Sequence, residues 1–359
     1  MRNAGVILLA AYLLCVTVSA MAEDTKKKDS QQNAASLNLQ IVDIVHTNTD
    51  EMSTMSPDRC DAEGNIYMRP YGIGFQLGWG QILKFNPKGE QTVTFLPQPG
   101  FLPSKSFVAG DGTVYVLAVD QKQLTDQSDK DSRRAPDNYI LRYRSDGTLD
   151  HKTKLDAKFL PSGSFVVFPS GEILVSAIEV ATGVGQPPST PFTALFDQNG
   201  VLVKKISAKE DDWITKAIEA RDTTKVLPSK GANPAVAMGQ ALIGSDGNAY
   251  VMRETLPAVV YVISSGGSLV RTLTLSSGDP PKFPSIMLEN RGRLAIIFQN
   301  SGPNEQPRLK LFETGKGKEI ETVNIQPQFG VGAACFNPPN FTFVRVEDGK
   351  FVFTMAQAR

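Results

Sequence analysis

Short apolar runs recur along the chain, each entered through a glycine. They are DAEG-NIYM at Gly64, AGDG-TVYV at Gly112, FPSG-EILV at Gly171, GSDG-NAYV at Gly247, ENRG-RLAI at Gly292 and VEDG-KFVF at Gly349. The second and fourth residues after each glycine are Ile66/Met68, Val114/Val116, Ile173/Val175, Ala249/Val251, Leu294/Ile296 and Phe351/Phe353, all apolar. The residue between them is Tyr67, Tyr115, Leu174, Tyr250, Ala295 or Val352. Successive side chains of a strand point to opposite faces, and a strand apolar on both faces is covered on both. Each run is therefore expected to be a strand lying between two neighbouring sheets.

A second series alternates with the first: QILKFNPKG, YILRYRSDG, FTALFDQNG, VVYVISSGG and RLKLFETGKG. Each reads as a strand running into a turn, and most continue into a further strand, such as TVTFL after Gly89 and LVRTLTL after Gly267. Each unit thus has four strands, a to d, with tight a–b and c–d turns. A repeat of this length built from four strands points to a propeller blade. The expected fold is all-β: a six-bladed β-propeller of four-stranded antiparallel blades. A β-sandwich with accidental spacing is the alternative, and six glycines in register speak against it. Arg359 follows Gly349 by ten residues, which leaves the sixth unit without its own c–d pair. Leu37 to His46 (LNLQIVDIVH) has no unit of its own and is expected to supply the outer strand, closing the ring and covering the open edge.

With these motifs in place, the chain resembles the six-bladed TolB-like propellers, especially NHL-repeat proteins. Their blades carry a comparable D-x-x-G-N-I-Y-V strand followed by an I-x-x-F strand. The resemblance spans residues 37–359 and implies the fold. It implies no single activity, because binding proteins, lactonases and lyases share this architecture.

The first residues, MRNAGVILLAAYLLCVTVSAMA, combine Arg2, an apolar stretch from Gly5 to Val18 and an Ala20-Met21-Ala22 site. Residues 1–22 are expected to be a signal peptide cleaved after Ala22; an uncleaved anchor is the alternative. Cys15 lacks the preceding small residue of a lipid-anchor signal. Residues 23–36 are polar and charged and read as a disordered leader, so the domain is expected over 37–359. Later segments are too short in apolar run to span a membrane. The expectation is a periplasmic or secreted, soluble, monomeric protein. Lys and Arg number 37 against 37 Asp and Glu, so no basic excess points to nucleic acid.

Loop length is asymmetric. The b–c connections 69–80, 119–138, 179–191 and 299–307 and the d–a connection 207–237 are long, and all belong to one face. Long loops on a rigid scaffold commonly build binding sites. The candidate ligand-binding residues are therefore those just past strand b: Arg69, Asp120, Glu179, Arg253, Glu254, Gln299 and Asn300. Tyr71, Phe75 and Trp79 join them from the glycine-rich loop 69–80, either as a ligand surface or as a cover over the core. In 207–237, Ser207 and Glu210 fit a capping box. Trp213, Ile214, Ala217 and Ile218 fall on one helical face, which predicts a short amphipathic helix near 208–221. That helix is either an anchored rim element or a lid.

Catalytic patterns are sparse. The two histidines, His46 and His151, have no metal-ligand spacing and are not placed for a Ser/His/Asp triad. There is no G-x-S-x-G, P-loop, H-E-x-x-H or C-x-x-C-H. Asp61 does not begin a calcium loop, since DAEGNIYMRPYG gives Asp61 and Glu63 and then apolar strand. It suits the acceptor position of an Asx-type turn, with Gly64 supplying a positive φ. No cofactor and no metal ligands are expected. A site scattered over the channel, as the lactonase resemblance would imply with a glutamate, asparagines and an aspartate, is the alternative, and no matching motif is present. Cys60 and Cys335 are the candidate disulfide of an exported protein. Strand register argues against it, because Cys335 is expected before strand a of the last blade, away from Cys60. The expected function is binding of a protein, glycan or small ligand at the long-loop face without catalysis. A metal-dependent lactonase-like hydrolase or lyase and a structural envelope subunit are the alternatives.

Overall fold

The apolar runs that follow the turn glycines are strands, and most have both faces covered. Ile66, Tyr67 and Met68 are buried, as are Ile173 to Val175, Ala249 to Met252 and Leu294 to Phe298. A computed structural model describes residues 35–48, 54–71, 80–125, 136–161, 163–179, 190–206, 238–299, 306–329 and 332–359.

The chain is nearly all β, and consecutive strands pair antiparallel in groups of four. The first group is β2 (Thr54–Cys60), β3 (Ile66–Tyr71), β4 (Ile82–Phe85) and β5 (Gln91–Phe95). The second is β6 (Phe101–Val108), β7 (Val114–Asp120), β8 (Asp137–Tyr143) and β9 (Leu149–Leu160), with a short helix α1 (Gln121–Thr125) after β7. The third is β10 (Phe165–Val167), β11 (Ile173–Glu179), β12 (Thr190–Phe196) and β13 (Leu202–Ile206). The fourth is β14 (Met238–Ile243), β15 (Ala249–Arg253), β16 (Ala258–Ile263) and β17 (Leu269–Leu275). The next is β18 (Phe283–Asn290), β19 (Arg293–Gln299), β20 (Arg308–Glu313) and β21 (Glu319–Asn324). The last comprises β22 (Gly332–Asn337), β23 (Asn340–Glu347) and β24 (Lys350–Ala358), with β1 (Ala35–His46) on the outside. β1 runs antiparallel to β24, from Leu39 opposite Ala358 to His46 opposite Val352. Neighbouring groups also meet at two edges, β9 with β11 and β21 with β1.

The first strands of successive groups touch: β2 with β6, β6 with β10, β10 with β14, β14 with β18, β18 with β22, and β22 with β2. Apolar layers fill the spaces between sheets. Between the last sheet and the first, Phe85 meets Phe351 and Phe353 edge-on at 5.8 and 5.6 Å, and Ile66, Met68 and Leu83 join the same cluster. Burying each such phenylalanine contributes about 2–3 kcal/mol.

The a–b turns follow one rule in the early sheets. Asp61 N donates to the Asn65 carbonyl and Gly64 N to the Asp61 carbonyl, both at 3.1 Å. Gly64 has φ 83°, the left-handed conformation that glycine adopts without steric cost.

The last sheet departs from the expected register. Gly349 does not lie between its first and second strands. It joins β23 to β24, the second and third strands, and the first hairpin turns through Pro338-Pro339. Asp348 and Gly349 have φ of 51° and 74°, the pair of positive values of a two-residue type I′ hairpin. The Asp-Gly signature serves a hairpin of either kind, so it did not distinguish the two. The last sheet therefore takes three strands from the C-terminal segment rather than two.

The same shift corrects the cysteine geometry. Cys335 lies within β22, opposite Thr342, and not before the first strand of its sheet. Its Cα is 5.4 Å from that of Cys60, and the two form a disulfide. That separation is typical of a disulfide. The helix expected near 208–221 lies outside the described residues, as do most of the long b–c loops.

Candidate functional site

Asp61 directly follows the first strand of its sheet and is 7 % exposed. Its Oδ1 accepts from Glu63 N at 3.1 Å and Asn65 N at 2.9 Å. Its Oδ2 accepts from Asn65 Nδ2 at 2.8 Å and from the Tyr67 hydroxyl at 2.9 Å. Lys84 Nζ stands 3.7 Å from the same oxygen and 5.6 Å from the Tyr67 ring centre. Burial first, and then the negative charge of Asp61, hold the Tyr67 phenol well above its ordinary pKa. The sheet of β14–β17 solves the same problem from a different position. There the Tyr250 hydroxyl donates to Asp246 Oδ2 at 3.0 Å, and burial pushes its pKa up to about 12.

These turns surround a cavity of about 410 Å³. Its walls come from the C-terminal ends of first strands and the turns after them: Arg59, Cys60 and Asp61; Phe107 and Val108; Ser245; Glu289 and Asn290; Ala334 and Phe336. The cavity lies at the tight-turn end of the space between the first strands. Arg59 crosses that space, its Nη2 3.3 Å from Gln240 Oε1 and 3.4 Å from the Ala241 carbonyl. Gln240 Oε1 also accepts from Met287 N at 2.9 Å, so β2, β14 and β18 are linked through one amide. Glu289 accepts from Ser245 N at 2.6 Å, Ser245 Oγ at 2.8 Å and Gly292 N at 2.9 Å.

A second cavity, of about 540 Å³, opens beside the first between the second and third sheets. Phe107, Gly110, Pro169 and Ile243 line both. Among the described residues, no three of His, Cys, Asp and Glu converge to hold a metal ion. His46 lies in β1 opposite Val352, and His151 in β9 opposite Arg142.

The residues expected to carry binding stand at the other end of the second strands. Arg69 reaches a small apolar recess between the first two sheets, with Ile82, Phe95, Val116 and Tyr143. Asp120 accepts from Lys122 N at 3.0 Å and so caps α1, a structural role. Arg253 is 5 % exposed, with its guanidinium carbon 5.0 Å from the Tyr261 ring centre. Glu254 follows it; burial raises its carboxyl pKa, and Lys105 of β6 pulls it back down. Gln299 is half-buried at the end of β19, opposite Phe283. Tyr71 and Glu179 pair through their backbones with Thr54 and Thr190, and their side chains fall outside the described residues. Phe75, Trp79 and Asn300 lie outside them altogether. Of this set, Arg253 and Glu254 are consecutive in the chain at the end of β15.

Arg59, Gln240, Ser245 and Glu289, which shape the mouth, were absent from the expected site. Arg59 and Glu289 lie near the ends of β2 and β18, while Gln240 lies within β14 and Ser245 just after it; their convergence leaves no local motif. The signal available was positional: the residues just before each turn glycine share one rim.

No family model and no curated protein matches the chain. Solved structures of β-propeller type align with it. A protein of unknown function from Dyadobacter fermentans matches at 12% identity over 89% of this chain and 99% of that one, with a TM-score of 0.50. The aldose sugar dehydrogenase of Streptomyces coelicolor gives 11%, 89% and 98%, with 0.45. Virginiamycin B lyase from Staphylococcus aureus gives 12%, 89% and 99%, with 0.44. At such identities a likeness concerns the fold alone. No helix among the described residues is long and apolar enough to cross a membrane.

Proposed function

We propose that residues 37–359 form one closed ring of six four-stranded blades, of the TolB-like and NHL-repeat type. The chain is exported after cleavage behind Ala22 and acts as a monomer by binding a protein, glycan or small ligand without transforming it. The contacts of the first strands, returning from β22 to β2, support the ring, and the pairing of β1 with β24 supports its closure. The signal-like residues 1–22 support export.

One observation favours binding over catalysis. The charged side chains at the channel mouth are already committed to the scaffold. Asp61 accepts hydrogen bonds from Asn65 and Tyr67, Glu289 from Ser245 and Gly292, and Arg59 donates to Gln240. A general base must be free to take a proton from substrate, whereas walls fixed in this way suit shape recognition. The residues at the opposite end, Arg69, Asp120, Arg253, Glu254 and Gln299, offer a second surface for the same kind of role.

The experiment is a turnover assay of purified protein on lactones, esters and glycosides, with and without Mg²⁺, Mn²⁺, Ca²⁺ or Zn²⁺. The expected result is no turnover above the rate in buffer. Metal-dependent turnover lost with Glu254→Gln or Asp61→Asn would replace this reading with the hydrolase or lyase one.

A further inference from the structure

The turn before Gly112 differs from the turn before Gly64 at one telling position. In both, the residue three places before the glycine donates its N–H across the turn, Asp61 to the Asn65 carbonyl and Ala109 to the Thr113 carbonyl. Ala109 therefore occupies the place of Asp61. Tyr115 likewise occupies the place of Tyr67, three residues after the glycine. Tyr67 points to the next sheet, where its hydroxyl stands 3.3 Å from the Gly112 carbonyl while Asp61 holds it. Tyr115 reaches towards the third sheet without that carboxylate, and among the described residues its hydroxyl makes no hydrogen bond. Where the first sheet has a packed Asp–Asn–Tyr network, the second has the cavity of about 540 Å³.

The walls of this groove define a chemistry. Phe107 and Phe168 give it apolar surface; Tyr115, Asp111, Arg142 and Gln198 give it hydrogen-bonding groups. Asp111 uses one oxygen to accept from Thr113 N at 2.9 Å. Arg142 is half exposed, with Nε 3.6 Å from Asp150 Oδ2. One cation and one anion line the groove, so its lining is neutral overall. An anionic ligand would find no surplus of positive charge, and a hydrocarbon would strip water from Asp111 and Arg142 without compensation. A ligand with apolar C–H faces and hydroxyls that both donate and accept matches an apolar wall beside a phenol, a carboxylate, a guanidinium and an amide.

We propose that this groove is a binding site for a neutral sugar, with Tyr115 as a direct hydrogen-bonding contact and Ala109 as the residue that keeps the groove open. The groove shares Phe107, Gly110, Pro169 and Ile243 with the channel mouth, but its polar groups Asp111, Tyr115, Arg142 and Gln198 line it alone.

The test is isothermal titration of the mature chain with glucose, galactose, mannose, xylose, N-acetylglucosamine and β-linked disaccharides of these, beside glucuronate and glucosamine. At least one neutral sugar is expected to saturate the protein and to bind more tightly than the charged pair. Tyr115→Phe should weaken it by about tenfold, the loss of one well-placed hydrogen bond. Ala109→Asp should abolish it by restoring the carboxylate that Asp61 supplies to Tyr67, while the melting temperature holds or rises. If Ala109→Asp impairs folding, Tyr115→Phe decides alone. Saturation by no neutral sugar, tighter binding of glucuronate than of glucose, or equal binding by wild type and Tyr115→Phe would each overturn the proposal.

Discussion

The hydroxyl of Tyr67 donates to Asp61 Oδ2 at 2.9 Å, joining the start of a buried strand to the turn before it. The same carboxylate accepts from two backbone N–H groups and the Asn65 amide. A residue that reads in sequence as a turn former is thus the hub that ties the first hairpin to the neighbouring sheet.

Removing either end of that bond should have unequal effects. Asp61→Ala strands several buried donors and is expected to cost about 3 kcal/mol, whereas Tyr67→Phe loses one hydrogen bond and should cost about 1 kcal/mol. Urea unfolding of the two variants measures the difference; equal costs would mean that the carboxylate does not organise the turn.

Tyr250 ties its sheet to the alkaline side of the pH scale. Its folded pKa of about 12 lies above the ordinary phenol value, so the folded state holds the proton more tightly. The resulting stability is fully present below about pH 10 and is lost as pH rises through about 12. Tyrosinate absorbance should show a late-ionising step that Tyr250→Phe removes, and that variant should lose less stability between these limits.

Glu254 has the same sign at lower pH. Burial raises its pKa in the folded state, so its contribution is fully present below the ordinary glutamate value and declines as pH rises through the folded pKa. Glu254→Gln removes the ionisation. The variant should match wild type in melting temperature near about pH 4 and exceed it at neutral pH. A lower melting temperature at neutral pH would mean that the carboxylate is held by favourable partners.

Cys60 and Cys335 are 275 residues apart in sequence and join the first strands of the first and last sheets. Cross-linking so distant a pair removes much of the unfolded chain's freedom, and its loss should cost about 4 kcal/mol. Cys60→Ser and Cys335→Ser should each lower the urea midpoint by similar amounts, and the double variant no further. A tryptic peptide pair present only without reductant would identify the bond in the purified protein.

Much of the architecture was legible because the Gly64, Gly112, Gly171 and Gly247 turns repeat one backbone solution before strands apolar on both faces. β1 was legible because an amphipathic strand without a unit needed a partner. The last sheet was misread where the sequence changed its punctuation: Pro338-Pro339 makes its first hairpin without a glycine, and Asp348-Gly349 makes the next. The register argument against the Cys60–Cys335 pair failed through that same slip. The channel mouth was illegible for a different reason. Arg59, Glu289 and the Gln240–Ser245 segment belong to three first strands, β2, β18 and β14, far apart in the chain, and they meet only in the folded structure. Asp120 reads in sequence as a rim ligand, yet its carboxylate caps α1.

The most direct test of the channel mouth as a binding site is a crystallographic fragment screen of the mature protein, using a library of small polar and aromatic compounds. Fragments should cluster in the cavity between Arg59, Asp61, Ser245 and Phe336, and Ala62→Trp, at its edge, should displace them. Fragments confined to the opposite end, around Arg69, Arg253 and Glu254, with the mouth filled only by solvent, would contradict the account.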